Sequence, residues 1–193
     1  MVGEKMFVCA GNGEEFEFAR SIGVGLVESA ITLSKLCMSE QVESLVFVGS
    51  AGSYDKEVDL LELFVSTQAT QIESSLLVGE SYTPLKQEIK SLKNVSCETI
   101  SKILSLNLPQ AIVNSSNYIC IDPAYALRMK ERGILLENME FFSVLSVARR
   151  FNLPALGVFC VSNHCGQRAH QEFLENRGEV MGKLRGVIEN IGF

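Results

Sequence analysis

Residues 155–161 read ALGVFCV, an apolar run with no polar residue to mark a wet face. A strand exposed on one side alternates apolar with polar residues. A run without alternation is therefore a strand covered on both faces, as in the sheets of α/β proteins. The chain enters it from 141–151, where Phe141, Leu145, Ala148 and Phe151, with Val144 and Val147 beside them, recur at helical spacing. Asn152 and Pro154 stop that helix, because proline has no amide hydrogen for a further turn. The chain leaves through Ser162-Asn163-His164-Cys165-Gly166, and a helical pattern then fills 167–191. A shorter apolar run, 134–136, precedes the acidic turn Glu137-Asn138-Met139-Glu140. In open α/β sheets ligands bind beyond the carboxyl ends of strands, so the two polar stretches are expected to form two walls of one site.

The rest of the chain repeats this grammar. Residues 6–10 form a short strand, and Gly11-Asn12-Gly13-Glu14-Glu15 turns out of it, either as a tight connection or as a close backbone approach to a ligand. Gly23-Val24-Gly25 precedes a helical pattern through Leu26, Ala30, Leu33 and Cys37. It lacks the third glycine and the strong preceding strand of a dinucleotide fingerprint, so close packing is the reading of its glycines. A second buried strand, 44–48, ends in Gly49-Ser50-Ala51-Gly52. Residues 60–72 read as one long bent strand, 78–82 as a strand, 84–92 as a short helix, 97–106 as an elongated or helical run and 109–113 as a strand. Asp122-Pro123 has the form of an N-cap followed by proline at the first helical position, with the helix running to Arg132 and ended by Gly133. Gly178, Gly182 and Gly186 line one face of the last helix, which suggests close packing on a neighbouring helix.

Net charge is −6, from 17 basic and 23 acidic residues with no basic stripe, which argues against nucleic acid as a partner. There is no apolar run approaching about 20 residues for a membrane span and no signal-peptide pattern. A cytoplasmic protein folding as one domain over 1–193 is the expectation. Cys9, Cys120 and Cys160 fall in apolar runs, where reduced cysteines act as small hydrophobes. His164, Cys165 and His170 match no zinc-ligand spacing, so neither a metal nor a cofactor is expected.

Several of these stretches, in this order, resemble the nucleoside phosphorylase/nucleosidase superfamily. The carriers are Gly49-Ser50-Ala51-Gly52, Gly23-Val24-Gly25 before the first long helix, Asn138-Met139-Glu140 before another, and Val161-Ser162-Asn163 at a strand end. The resemblance covers most of the chain. It implies a three-layer α/β/α fold around a central mixed, twisted sheet, a purine nucleoside as the small-molecule partner, and a homodimer or larger homo-oligomer. It places substrate at Ser50, Ala51 and Gly52. Tyr118 is implied as a stacking platform for the base, with the Ile119 backbone at the base edge. Met139 would lie against the sugar, and Glu140 would grip the ribose hydroxyls while stabilising the cationic sugar.

The departures from the pattern decide the implied chemistry. Four residues after Gly11, where phosphorylases of this superfamily have a phosphate-holding arginine, stands Glu15, which is expected to activate water as a base. Phe47 replaces a second phosphate arginine three residues before Ser50. Asn163, beside Ser162, stands where adenosine-type nucleosidases have an aspartic acid. An asparagine accepts one hydrogen bond and donates two, which suits N7–H and O6 of a 6-oxopurine. Ser162-Asn163 with Gly166-x-Arg168 is also similar to futalosine hydrolases. Phe159 replaces an arginine that nucleosidases carry four residues before this position, leaving Glu15 alone, Arg168 or another group to place the water. The expectation is a purine nucleoside N-ribosyl hydrolase acting on a 6-oxopurine nucleoside such as futalosine or inosine. A phosphate-dependent purine nucleoside phosphorylase and a non-catalytic nucleoside-binding relative are the alternatives.

Overall fold

The computed structural model describes residues 4–92 and 97–192. The elements in chain order are β1 (Glu4–Cys9), β2 (Arg20–Ser21), α1 (Leu26–Ser39), β3 (Val42–Ser53), β4 (Leu63–Ser66), β5 (Gln68–Thr70), α2 (Ser74–Leu77), β6 (Glu88–Lys90), α3 (Glu98–Ser105), β7 (Val113–Ser115), α4 (Pro123–Glu131), β8 (Leu136–Asn138), α5 (Phe141–Arg150), β9 (Ala155–His164) and α6 (Ala169–Asn190). The 155–161 run forms most of β9, which is buried from Ala155 through Asn163. It pairs parallel with β3 on one side and antiparallel with β4 on the other.

Why both faces are apolar follows from what covers them. Met6 and Val8 of β1 join Leu45, Phe47, Phe159 and Val161 beneath Leu33 of α1 and Phe141, Val144, Leu145 and Ala148 of α5. The alternate residues Phe7 and Cys9 join Val46, Val48, Val158 and Cys160 beneath Ile103 of α3 and Val180, Leu184 and Ile188 of α6. A sheet with apolar side chains on both sides needs a helical layer on each. The result is a three-layer α/β/α arrangement. Its sheet is mixed: β1–β3, β3–β9, β5–β7 and β7–β8 are parallel, while β3–β8, β4–β9 and β5–β6 are antiparallel.

The helix ends are set by local chemistry. Asp122 accepts the Ala124 amide at 2.9 Å and Pro123 opens α4, as the sequence indicates. At the end of α5, Asn152 takes the left-handed conformation (φ 56°) and the Leu153 amide reaches back to the Ala148 carbonyl at 2.8 Å.

Five expectations change. The 60–72 stretch is two strands interrupted at Thr67. Residues 78–82 are a turn after α2, where Gly79 has φ 78°. Residues 84–92 contain strand β6 and no helix, because pairing with β5 satisfies their backbone. The strand expected at 109–113 begins only at Val113; Gln110 makes a single bridge to Val65. Gly178, Gly182 and Gly186 face open space, so among the described residues they pack on no helix. No helix of the described residues is long and apolar enough to cross a membrane.

Candidate active site

β3 creates the cavity by changing partners. Its first half pairs with β1, whose register ends at Val8↔Phe47, and on that edge β8 joins only at Gly52. Among the described residues no strand pairs with 48–51 on this side. The gap lies where a parallel and an antiparallel neighbour diverge, and it opens into a cavity of about 240 Å³. Ser50, Ala51 and Gly52 line it from β3, and Ala10, Gly11 and Asn12 from the end of β1. Gly52 leaves necessary room: a Cβ there would stand 2.9 Å from Asn163 Nδ2 and 3.1 Å from Glu137 Cγ.

Three buried glutamates face this space: Glu14, Glu137 and Glu140. Burial pushes the carboxyl of each upward. Glu14 comes inward because Gly11, Asn12 and Gly13 all adopt positive φ (85°, 55° and 95°), curling the chain after β1. The Ser50 hydroxyl and amide and the Arg177 guanidinium oppose the upward shift of Glu14 without cancelling it. Its Oε1 is buried without a hydrogen-bond partner. Glu140 is pushed to about 7, first by burial and also by the charge of Glu14. Its Oε1 accepts the Gly25 amide at 3.0 Å, and its Oε2 accepts Asn138 Nδ2 at 3.1 Å and the Met139 amide at 3.2 Å. Asn138 is in turn fixed by the Ser115 hydroxyl at 2.7 Å and the Phe141 amide at 3.2 Å, both donating to its Oδ1.

The opposite wall is the end of β9. Between Ala51↔Val161 and Gly52↔Asn163 the register slips, leaving Ser162 as the extra residue of a bulge, a device that re-aims the following side chain. The Ser162 hydroxyl donates to Asn163 Oδ1 at 2.8 Å. α6 holds this strand end: Asn176 Nδ2 donates to the Ser162 carbonyl at 2.9 Å, and Glu172 Oε2 accepts the His164 amide at 2.9 Å. Tyr118 and Ile119 form the rim, where Tyr118 is 72% exposed, and His170 and Phe173 of α6 close the far side.

The family model of the phosphorylase superfamily matches residues 2–191. The chain belongs to the phosphorylase superfamily. The DeoD-type purine nucleoside phosphorylase of Geobacillus stearothermophilus is 26% identical over 145 residues, covering 74% of this chain and 61% of that protein. The chain thus spans about three fifths of the length of that curated phosphorylase. The aminodeoxyfutalosine nucleosidase of Helicobacter pylori is 22% identical over 179 residues, covering 87% and 78%. Among solved structures, an MTAN mutant of Helicobacter pylori with 5′-methylthioadenosine in the active site aligns with a TM-score of 0.81 at 16% identity, over 99% of this chain and 98% of that one.

Within this phosphorylase-superfamily fold, Ser50, Ala51, Gly52, Tyr118, Ile119, Met139, Glu140, Ser162 and Asn163 all line the one cavity. Glu15 does not line it. Its carboxylate is exposed and folds onto the Gly13 amide at 3.0 Å, while its neighbour Glu14 faces the cavity. Counting from Gly11 could not reveal that three consecutive positive-φ residues advance the inward direction by one position. Arg168 is also turned away, lying 3.8 Å from Glu175, and the cation beside Glu14 is Arg177. The residues that sequence reasoning missed are Glu14, Glu137, Asn138, His170 and Phe173. Only Glu14 and the Glu137-Asn138 pair had a signal, as members of polar turns already singled out.

Phe47 and Phe159 pack with Phe141, with ring centroids 5.6, 6.1 and 5.1 Å apart around the trio. All three are fully buried, and Gly49 and Gly157 make room for their rings. His164, Cys165 and His170 do not converge on one point. His164 Nε2 lies 2.9 Å from the Val58 carbonyl, and the His170 ring stacks on Phe173.

Proposed function

We propose that this chain hydrolyses the N-glycosidic bond of a purine nucleoside, with 6-oxopurine nucleosides such as futalosine or inosine as the substrate class. One observation carries the reading: Glu14, buried and with its Oε1 unpartnered, lines the same small cavity as Glu140. Burial raises the basicity of Glu14, so it takes a proton from water more readily than an exposed glutamate would. The three donors on Glu140 fix its carboxylate, which grips the ribose hydroxyls and stabilises the sugar as positive charge develops. Met139 packs on the sugar and Tyr118 stacks on the base. Asn163, its Oδ1 oriented by Ser162, accepts from N7–H and donates to O6. Ser50, Ala51 and Gly52 give the substrate room along β3.

Hydrolysis is preferred because Glu15 and Phe47 stand where phosphorylases of the superfamily carry phosphate-holding arginines; Phe159, in place of an arginine of the nucleosidases, leaves the water to Glu14. A second reading, phosphorolysis, is favoured by Arg177 beside Glu14 and by the similarity to DeoD-type phosphorylases. Tyr118 is too exposed to hold a base away from water by itself. Val27, Ile31 and Met38 of α1 are exposed as well, and we assign these apolar groups to the contact of a homodimer or larger homo-oligomer. Six unpaired thiols suit a reducing cytoplasm. The test is release of free base from inosine, futalosine and 5′-methylthioadenosine, with and without phosphate. Equal rates with the free sugar, carrying its own 5′ substituent, as product support hydrolysis. A strict phosphate requirement with the corresponding sugar 1-phosphate as product establishes phosphorolysis. No release from any nucleoside that binds leaves a non-catalytic relative.

A further inference from the structure

Beside the cavity, three chemically matched groups converge from separate parts of the chain. Cys120 follows the rim residues Tyr118 and Ile119, Glu137 belongs to β8, and Cys165 comes just after β9. The two Sγ atoms and a carboxylate oxygen of Glu137 all lie within 4.8 Å of one another. The proposed reaction uses neither thiol.

We infer that Cys120, Cys165 and Glu137 form a binding site for one thiophilic divalent cation of the zinc type in the wall of the cavity. Tetrahedral zinc, with bonds of about 2.3 Å to sulfur and about 2.1 Å to oxygen, sets its ligand atoms roughly 3.5–3.8 Å apart. From a starting separation within 4.8 Å, closure requires side-chain shifts of at most about 1 Å. Two thiolates among three ligands select zinc-like ions over magnesium or calcium.

The surroundings support the site in three ways. All three residues are buried, and the groups that act on them are themselves acidic or neutral. Glu137 is flanked by the Cys120 amide, Cys165 and Tyr54, and Cys165 by Cys120 and Glu137. Burial pushes the Glu137 carboxyl and the Cys165 thiol upward. A divalent ion binds such groups as thiolates and carboxylate, releasing their protons. Tyr54, itself buried, faces Glu137 as an outer hydrogen-bonding partner of the kind that orients a ligating carboxylate. Gly52 keeps the space open, since a Cβ there would stand 3.3 Å from Cys165 Sγ. Glu137 also lines the cavity, so a remaining coordination position is accessible from it.

The experiment is a Co²⁺ titration of the full chain after chelator treatment under a phosphine reductant. The expected result is a near-ultraviolet thiolate-to-cobalt charge-transfer band that saturates at one equivalent and is abolished by Zn²⁺. Cys120→Ser and Cys165→Ser should each weaken binding at least tenfold, and Glu137→Gln should weaken it measurably, while Cys37→Ser leaves it unchanged. Absence of the band in the wild-type chain overturns the inference, and needs no variant to fold. So does a band that survives both cysteine substitutions. A count of only four free thiols in the denatured, unreduced protein, with the missing pair mapping to Cys120 and Cys165, would assign the pair to a disulfide instead. None of these readouts uses base release, so the site and the proposed reaction stand or fall separately.

Discussion

Replacing Glu140 with glutamine separates what its charge does for the fold from what it does for turnover. In the folded protein this carboxyl holds its proton up to about pH 7, against an ordinary value of 4.5. The folded value is raised, so the native state binds more protons between these limits and stability falls as pH climbs through them. The penalty is complete above pH 7. At 1.36 kcal/mol per pH unit it amounts to about 3 kcal/mol. Glutamine does not titrate and escapes that penalty. However, its amide must turn donor against donor toward Gly25 or toward Asn138 and Met139, at a cost of about 1–3 kcal/mol at every pH. Relative to wild type, Glu140→Gln should therefore be destabilised at pH 5 and close to neutral, or stabilised, at pH 8.5. The difference between the two pH values should be about 2–3 kcal/mol. Denaturant melts of both proteins at each pH measure it. Turnover of the variant should fall by a factor equivalent to about 2–4 kcal/mol, with a smaller change in KM. A stability gap of the same size at both pH values would mean that Glu140 is already ionised at pH 5, and the burial argument would be refuted.

Glu14→Gln should reduce base release by roughly 10²–10⁴-fold, whereas Glu15→Gln, on an exposed side chain, should stay within about threefold. Steady-state rates for the pair decide which glutamate is the base, and the reverse order would restore Glu15. Asn163→Asp removes a donor and adds a carboxyl able to protonate N7. It should shift the ratio of kcat/KM for 6-amino over 6-oxo nucleosides upward by roughly tenfold to a hundredfold. An unchanged ratio would remove Asn163 from the base. Gly157→Ala places a methyl 2.4 Å from Phe159 Cε2 and 2.9 Å from Phe141 Cε2. The expected loss is about 1–3 kcal/mol, seen as a fall in Tm of roughly 2–10 °C, and an undiminished Tm would show that the rings give way freely.

How far the sequence carried this reading depended on the kind of signal. The doubly covered strands were written as apolar runs, and the two helices flanking β9 as helical patterns, the first stopped by Asn152 and Pro154. The 60–92 region was harder because its strands are three or four residues long, and their pairing partners decide their state more than local propensity does. In the site, side chains at the ends of regular elements were predictable by position, as with Ser50, Met139, Glu140 and Asn163. Glu14 was not, since its direction depends on three left-handed residues that no periodicity describes. Cys120 and Cys165 lie 45 positions apart, and only the folded sheet brings them to Glu137.

The aromatic trio beneath the cavity has a consequence for how this chain can change. An arginine introduced at position 47 or 159 alone would meet the other two rings, with a guanidinium buried among them. Its benefit to an incoming anion would depend on what stands at the other positions, so the substitutions would be strongly non-additive. Each first step is unfavourable even if the finished combination is not. Such a valley in the mutational landscape makes the present chemistry hard to leave one residue at a time. It points engineering of anion binding toward Arg177, at the solvent side of Glu14, rather than toward the core.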